Sequence, residues 1–354
     1  MSRKLGLHRP ILDGKVNFPL CLAPMVGLTH VALREVMREY LPQDAFTIWP
    51  TEMLNSRRVP DENLETTPET MRSASENGLV PQILGNEEEP IAKTVKRLIE
   101  WGAEAIDINM GCPVQKALKH NYGVALMGDP SYAAEVVRMT VKNSTIPVSV
   151  KLRAVGSTKE FDELLTFVSG LRNSGAAWVC LHPRTAAQKR RGSADWEQIK
   201  QLHQAVDFPV IGNGDVQTVE DAINMLSETG CDMAMSGRGL AARPWMLWQL
   251  GEELGFAPPL GKENQKAPRT PEEEGAEYGK VLLKLIQASN KYFGPDRAMR
   301  KVRFYVRTTG VWLPFGNALT GVCAKAQTIE QMLELVTKFF DVPHEMSQRT
   351  ELRQ

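Results

Sequence analysis

The chain has 354 residues, with 42 Lys and Arg balanced by 42 Asp and Glu, and 42% of its residues are hydrophobic. That length allows one large domain and a smaller one, each with its own core, and zero net charge does not by itself suggest a nucleic-acid binder. No stretch approaches the roughly 18 to 20 apolar residues of a membrane span, and no apolar run follows Met1-Ser2-Arg3-Lys4, so neither a membrane segment nor a secretory leader is expected. The five cysteines, Cys21, Cys112, Cys180, Cys231 and Cys323, form no Cys-x-x-Cys pair. Their odd number argues against a disulfide framework and for a reducing cytoplasm without a structural metal.

Short apolar runs alternate with amphipathic stretches through the first two thirds of the chain. The runs are Phe18-Ala23, Phe46-Trp49, Val80-Leu84, Ala105-Asn109, Pro147-Leu152, Trp178-His182, Phe208-Gly212 and Asp232-Ser236. Between them Val31-Tyr40, Pro90-Trp101, Ser131-Lys142, Phe161-Asn173, Trp196-Ala205 and Val219-Glu228 have helical spacing. Near-continuous apolar strands alternating with helices predict a parallel sheet covered by helices. Eight such units predict an α/β fold, a (β/α)8 TIM barrel over residues 1–250; a doubly wound open sheet is the alternative. The long polar segment Thr51 to Leu79 has no helix period and is expected to lie over the top face.

After Leu250 the pattern changes. Residues 251–270 carry Gly and Pro with scattered charges and read as a linker. Residues 271–354 read as a small helical domain, with helical spacing at Glu277-Ser289 and Ile329-Phe340. From Lys280 to Lys325 there are nine Lys or Arg against one acid, Asp296. Such clustering is the electrostatic footprint of a polyanion partner, or else a solvated helical face.

Polar residues accumulate at the predicted strand ends, where barrel enzymes keep their chemistry. Glycine-containing turns follow the last two strands, Gly212-Asn213-Gly214-Asp215 and Gly237-Arg238-Gly239, and could converge backbone N–H groups on a phosphate. Lys151 lies within an apolar strand, where an ammonium needs a partner unless it reaches the edge. His182 and Gln82 are either satisfied core groups or contacts to a flat heterocycle. Cys112, in Asn109-Met110-Gly111-Cys112-Pro113, leaves its strand on a sharp turn. It is inert, a nucleophile or a proton donor; no adjacent base is visible to make it a thiolate, whereas a neutral thiol suits proton donation.

Taken in order, Ala23-Pro24-Met25, Gln82-Ile83-Leu84-Gly85, Asp107-Ile108-Asn109-Met110-Gly111-Cys112-Pro113, Val148-Ser149-Val150-Lys151, His182-Pro183-Arg184-Thr185, Ala194-Asp195-Trp196, Gly212-Asn213-Gly214-Asp215 and Gly237-Arg238-Gly239 make the chain resemble the tRNA-dihydrouridine synthases of bacterial type. Met299-Arg300-Lys301 with Phe304-Tyr305 is similar to that family's basic helical motif. The resemblance implies FMN as cofactor and NADPH as reductant. It implies that Pro24, Met25, Val26, Gln82, Asn109 and Lys151 line the flavin, that His182 helps hold it, and that Asn213, Gly214, Asp215, Gly237 and Arg238 hold its phosphate end. Cys112 would be the catalytic acid. The tRNA substrate would be met by Arg184, Arg190, Arg191, Arg300, Lys301 and Arg303, with the protein acting as a cytoplasmic monomer. Bulky Tyr122 and Val124 beside Cys112 depart from the family pattern, and Thr308-Gly321 is not accounted for. The runner-up is another FMN-dependent barrel oxidoreductase acting on a small pyrimidine, similar to dihydroorotate dehydrogenase.

Overall fold

A computed structural model describes residues 5–113, 119–189, 191–314 and 316–351. Eight parallel strands form one sheet: β1 Leu20–Leu22, β2 Trp49–Asn55, β3 Leu79–Leu84, β4 Ile106–Met110, β5 Val148–Arg153, β6 Trp178–His182, β7 Val210–Asn213 and β8 Met233–Ser236. The hydrogen-bonded order is β1-β8-β7-β6-β5-β4-β3-β2. The seam between the first and last members is closed just outside the strands. Asn17 N and Phe18 N donate to the Phe46 carbonyl at 3.1 and 3.2 Å, and Thr47 Oγ1 donates to the Leu20 carbonyl at 2.8 Å. The result is a (β/α)8 barrel.

The second strand begins where the predicted apolar run Phe46-Trp49 ends. Pro50 and the polar pair Thr51-Glu52 disguise it in the sequence, and its pairing with β3 slips between Pro50 and Met53. Most of the segment expected as a long loop from Thr51 is therefore shorter, and it is fastened down. Arg34 Nε donates to Glu76 Oε1 at 2.6 Å inside the fold, and Arg97 Nη1 donates to the Val59 and Pro60 carbonyls, each at 2.6 Å.

Two apolar clusters separate the faces of the sheet. Cys21, Val80, Ala105, Trp178, Cys180, Ile211, Met233 and Met235 fill the barrel interior, with Ile11, Leu12 and Val16 packed among them. The larger cluster lies between strands and surrounding helices. Those helices are α1 Val31–Arg38, α2 Glu88–Trp101, α3 Pro130–Lys142, α4 Phe161–Asn173, α5 Trp196–Ala205, α6 Val219–Thr229, α7 Arg238–Ala242 and α8 Met246–Leu254. Local chemistry sets their starts: Asp129 caps α3 ahead of Pro130, and Thr218 with Asp221 forms a capping box on α6.

Beyond α8 the chain is helical again, in α9 Pro271–Thr309, α10 Gly316–Lys325 and α11 Ile329–Phe339. Helix α9 is broken at Gly294 (φ 70°), immediately before Pro295, a residue that cannot donate to the helical ladder. Its first half lies against α1. Tyr40 Oη donates to Glu277 Oε1 at 2.6 Å, Lys284 pairs with Glu39, and Lys291 pairs with Glu35 at 3.0 Å. Behind this contact Arg243 and Trp245 both donate to the buried Glu274 carboxylate, at 3.0 and 2.9 Å. The unplaced Thr308-Gly321 stretch becomes a tight turn at Gly310–Trp312, followed by the start of α10; Trp312 is fully buried and donates to Gln217 at 3.0 Å.

Candidate active site

Because all eight strands run parallel, their C-terminal ends collect at one mouth. There a cavity of about 550 Å³ is lined by Pro24 and Met25 after β1, Lys151 and Arg153 on β5, and His182 and Arg184 around the end of β6. Asn213, Gly214 and Asp215 after β7, with Gly237 and Arg238 after β8, complete that wall. The set was spread over more than 200 positions of sequence. Val26 lies at the rim and is 58% exposed, whereas Gln82 and Asn109 are buried in the barrel below the cavity.

The glycine loops are shaped by close approach. Gly214 has φ 118°, and a Cβ there would lie 2.8 Å from Ala194 Cβ and 3.0 Å from His182 Cδ2. At Gly239 a Cβ would come within 2.5 Å of the Val216 carbonyl oxygen. Only glycine fits at either point. Asp215, with φ 60°, does not turn its carboxylate to the cavity as a free anion. Arg184 Nη2 donates to both its oxygens at 2.6 and 2.8 Å, and Ala194 N donates at 2.6 Å. Lys151 Nζ donates to Asn213 Oδ1 at 3.0 Å, and Asn213 Nδ2 donates to the Met235 carbonyl at 2.7 Å, so the ammonium has a partner and β5 is tied to β7 and β8.

Cys112 is not one of the residues lining this cavity; its turn adjoins the wall through Arg153. The register pairs Asn109 of β4 with Lys151 of β5 and Met110 with Leu152, which brings the Gly111-Cys112 turn level with Arg153. Arg153 Nε donates to the Gly111 carbonyl at 2.8 Å. Asn109 Oδ1 accepts from Gly111 N at 3.1 Å and Cys112 N at 2.9 Å, and the Cys112 carbonyl accepts from Val124 N at 3.1 Å. Gly123, at φ 60°, allows this closure, since a Cβ would meet the Cys112 carbonyl oxygen at 2.6 Å. Tyr122, the bulky departure, is turned inward and stacks on His120 at 5.7 Å. Residues 114–118, just beyond Pro113, lie outside the described residues.

The other four cysteines are buried. Burial raises the Cys21 thiol pKa well above its ordinary value, pushes Cys180 up to about 12, and pushes Cys231 and Cys323 up to about 11. Cys112 is half-exposed and alone among the five can meet a ligand.

The predicted RNA contacts divide. Arg191 and Arg300 are exposed, and Arg190 lies outside the described residues. Arg184 is only 5% exposed and spent on Asp215. The Arg303 guanidinium donates to the Cys323 and Ala326 carbonyls at 3.1 and 2.7 Å. Lys301 faces the buried carboxylate of Glu52 at 3.5 Å. These three side chains are turned inward by packing that the local sequence does not reveal. The same holds for much of the basic stretch, because Lys280, Lys284 and Lys291 also pair with acids. Arg297, Arg300, Arg307 and Lys325 remain exposed.

Sequence reasoning missed the roles of Asp107, Ser149, Arg153 and Glu52, and the segment Arg349-Thr350-Glu351, which also lines the cavity. For Asp107 a signal existed, a carboxylate two residues before Asn109 in an apolar strand, on the same face. For the 349–351 segment none did. Among the described residues no group of three or more His, Cys, Asp or Glu is placed to hold a metal ion, and no helix is long and apolar enough to cross a membrane.

The family model described as dihydrouridine synthase matches residues 21–309. A probable tRNA-dihydrouridine synthase of Mycobacterium tuberculosis (strain CDC 1551 / Oshkosh) is 33% identical over 322 residues, spanning 89% of this chain and 80% of that protein. The tRNA-dihydrouridine synthase B of Pseudomonas aeruginosa is 27% identical over 324 residues, spanning 91% and 92%. Among solved structures, an active chimera of (S)-mandelate dehydrogenase superposes with a TM-score of 0.46 at 16% identity, covering 72% of this chain and 78% of that one. By the extent of the family match and the identity to its relatives, this chain belongs to the dihydrouridine synthase family.

Proposed function

We propose that this protein reduces the C5–C6 double bond of specific uridines in tRNA, using FMN and NADPH. The observation that carries the reading is a half-exposed thiol, Cys112, on the strand end next to a cavity at the barrel mouth. The residues present fit a flavin mononucleotide. A cavity of about 550 Å³ lies within the range of small-cofactor sites. Its lining combines apolar Ala23, Pro24 and Met25, with the Gly237 loop beside them, the Gly214 loop packed against His182, and Lys151, His182 and Arg238 as polar and cationic groups.

In this reading Pro24, Met25 and Val26 pack against the ring, with Gln82 and Asn109 bracing its surroundings from below. Lys151 and His182 hold its polar edge, while Asn213, Gly214, Gly237 and Arg238 hold the phosphate. Asp215 fixes the loop through Arg184. FMN held there would supply, once reduced by NADPH, the hydride for C6 of the base. Cys112 gives its thiol proton to C5, a task for a neutral acid aimed at one carbon. The base must leave its stack to enter a barrel mouth, so the RNA backbone needs cations outside. Arg191, Arg297, Arg300, Arg307 and Lys325, all exposed, are the candidates.

The test is mass spectrometry of tRNA treated with the purified protein and NADPH. A gain of two hydrogens on a mapped uridine supports the reading. Unchanged tRNA, with reduction of a free pyrimidine such as orotate instead, favours the small-pyrimidine oxidoreductase.

A further inference from the structure

The polar chain that ends at Cys112 begins at a buried carboxylate. Gln82 on β3, Asp107 on β4 and Ser149 on β5 are neighbours in the ladder, so their side chains share one layer inside the barrel. Gln82 Nε2 donates to Asp107 Oδ2 at 2.6 Å, and Ser149 Oγ donates to Asp107 Oδ1 at 2.7 Å. One layer nearer the mouth, Asn109 Nδ2 donates to Gln82 Oε1 at 2.7 Å. Asn109 Oδ1 then accepts from the Gly111 and Cys112 amides.

Both ends of this chain have a fixed polarity, the carboxylate as acceptor and the Gly111 and Cys112 backbone N–H groups as donors, and only the two side-chain amides between them could turn over. A side-chain amide can turn over and exchange its donor for its acceptor, whereas an ionised carboxylate can only accept. Asp107 therefore obliges Gln82 to offer it the NH2 group, which leaves the Gln82 carbonyl for Asn109. Asn109 in turn must offer NH2 to Gln82, which leaves its own carbonyl oxygen for the Cys112 turn. With Asp107 neutral and able to donate, one of the two constraints is lost, and a turned-over Gln82 would push Asn109 against the demand of the turn. An Asn109 that yielded would present NH2 to two backbone N–H groups, and the turn would lose both bonds.

We propose that Asp107 is a positioning residue for Cys112, setting the orientation of the Gln82 and Asn109 amides and through them the turn that presents the thiol. This rests on the reading of Cys112 as proton donor. Burial raises the Asp107 pKa above its ordinary value, while Gln82, Ser149 and the Lys151 ammonium act to keep the carboxylate charged. The chain crosses three strands, so it also couples the barrel interior to the mouth.

The test uses the flavin-loaded protein and the variants Asp107→Asn, Gln82→Met, Ser149→Ala and Cys112→Ala. The first readout is the alkylation rate of Cys112 by iodoacetamide, followed on its peptide by mass spectrometry. The second is the rate at which tRNA reoxidises the reduced flavin, with flavin content and reduction by NADPH as controls. Asp107→Asn is expected to change Cys112 alkylation by about 3- to 10-fold and to slow reoxidation by about 10- to 100-fold, the scale of a small misplacement of a reacting group. Gln82→Met, which cuts the chain at its second link, is expected to reproduce both effects and keeps the test alive if Asp107→Asn does not fold. Ser149→Ala removes one of the donors that keep Asp107 charged but leaves the chain to Cys112 intact, and is expected to change both rates less than Asp107→Asn does. Wild-type alkylation and reoxidation in folded Asp107→Asn or Gln82→Met, while Cys112→Ala abolishes turnover, would overturn the positioning role alone. Full turnover by Cys112→Ala would instead remove the reading beneath it.

Discussion

Lys301 of α9 and Glu52 of β2 meet across 249 residues of sequence, with ammonium and carboxylate 3.5 Å apart and the carboxylate residue only 3% exposed. Glu52 also accepts from Gly27 N at 2.6 Å, in the segment that follows Pro24-Met25-Val26. The Phe304 ring of α9 closes on the same glycine, whose Cβ, if present, would lie 2.8 Å from it. The helical segment and the β1–α1 loop are therefore held by one joint. A lysine that looks like an RNA contact in the sequence serves this joint.

Removing one partner of the pair should cost more than removing both. Lys301→Met leaves the buried Glu52 carboxylate without its cation, and is expected to destabilise the fold by about 3 kcal/mol, while Glu52→Gln keeps an acceptor for Gly27 N. The double variant Lys301→Met with Glu52→Gln is expected to recover most of that loss. Chemical denaturation of the three proteins checks this; additive losses would mean that the pair is not coupled.

His30 is expected to make stability depend on pH. It is fully buried at the start of α1, its Nδ1 accepts from Leu33 N at 3.4 Å, and it packs edge-on against Phe293. Burial, with Lys301 and Arg34 nearby, holds its pKa well below the ordinary 6.5. In the window between the depressed native value and 6.5 the unfolded chain binds the proton and the native chain does not. Stability from this group is thus complete above pH 6.5 and lost as pH falls through that window, by up to about 1.4 kcal/mol per pH unit. His30→Asn keeps a capping acceptor and has no ring to titrate. Its unfolding free energy should fall less steeply than that of wild type below pH 6.5, measured by urea titration at several pH values. Parallel curves would show that His30 does not carry the effect.

Cys112→Ala is expected to lower turnover on tRNA by about 10²- to 10⁴-fold, the range for a lost general acid, while NADPH still reduces the flavin at the wild-type rate. Stopped-flow absorbance separates the two half-reactions. An undiminished tRNA half-reaction would take Cys112 out of the mechanism.

Charge at Arg300 should matter to RNA and not to flavin. The side chain is exposed, so Arg300→Glu is expected to weaken tRNA binding several-fold and to reduce its salt dependence by about one unit of slope or more. Flavin content should stay at the wild-type level. Filter binding at several salt concentrations tests this, and an unchanged slope would place the RNA elsewhere.

Gly214→Ala is expected to lower flavin occupancy, because a methyl group would press on Ala194 and His182 at a φ of 118° that L-residues rarely adopt. Absorbance of the purified variant at flavin wavelengths measures it; full occupancy would show that the loop can yield without disturbing the site.

Some of this was legible in the sequence because it is local. Seven of the eight strands share most of their length with the apolar runs, since a strand buried on both faces must be apolar along its length, and the second shares only Trp49. The second strand was hidden by Pro50 and the polar Thr51-Glu52, which are tolerated only because Glu52 finds Gly27 and Lys301 inside the fold. Strand-end residues such as Lys151, His182 and Asn213 were readable for a topological reason: parallel strands bring their ends to one mouth whatever the details of packing.

By itself the sequence determined the alternation of strand and helix, the glycine turns after the last two strands and the presentation of Cys112, because each depends on residues within a few positions of one another. Only the tertiary structure decided which charges face solvent and which face a partner. The basic stretch after Lys280 meets Glu35 and Glu39 beside α1, Glu52 on β2 and Glu277 on its own helix, and Arg184 meets Asp215. The pairing of opposite charges is fixed by distance in space, and most of these partners lie on elements that the local pattern cannot bring together.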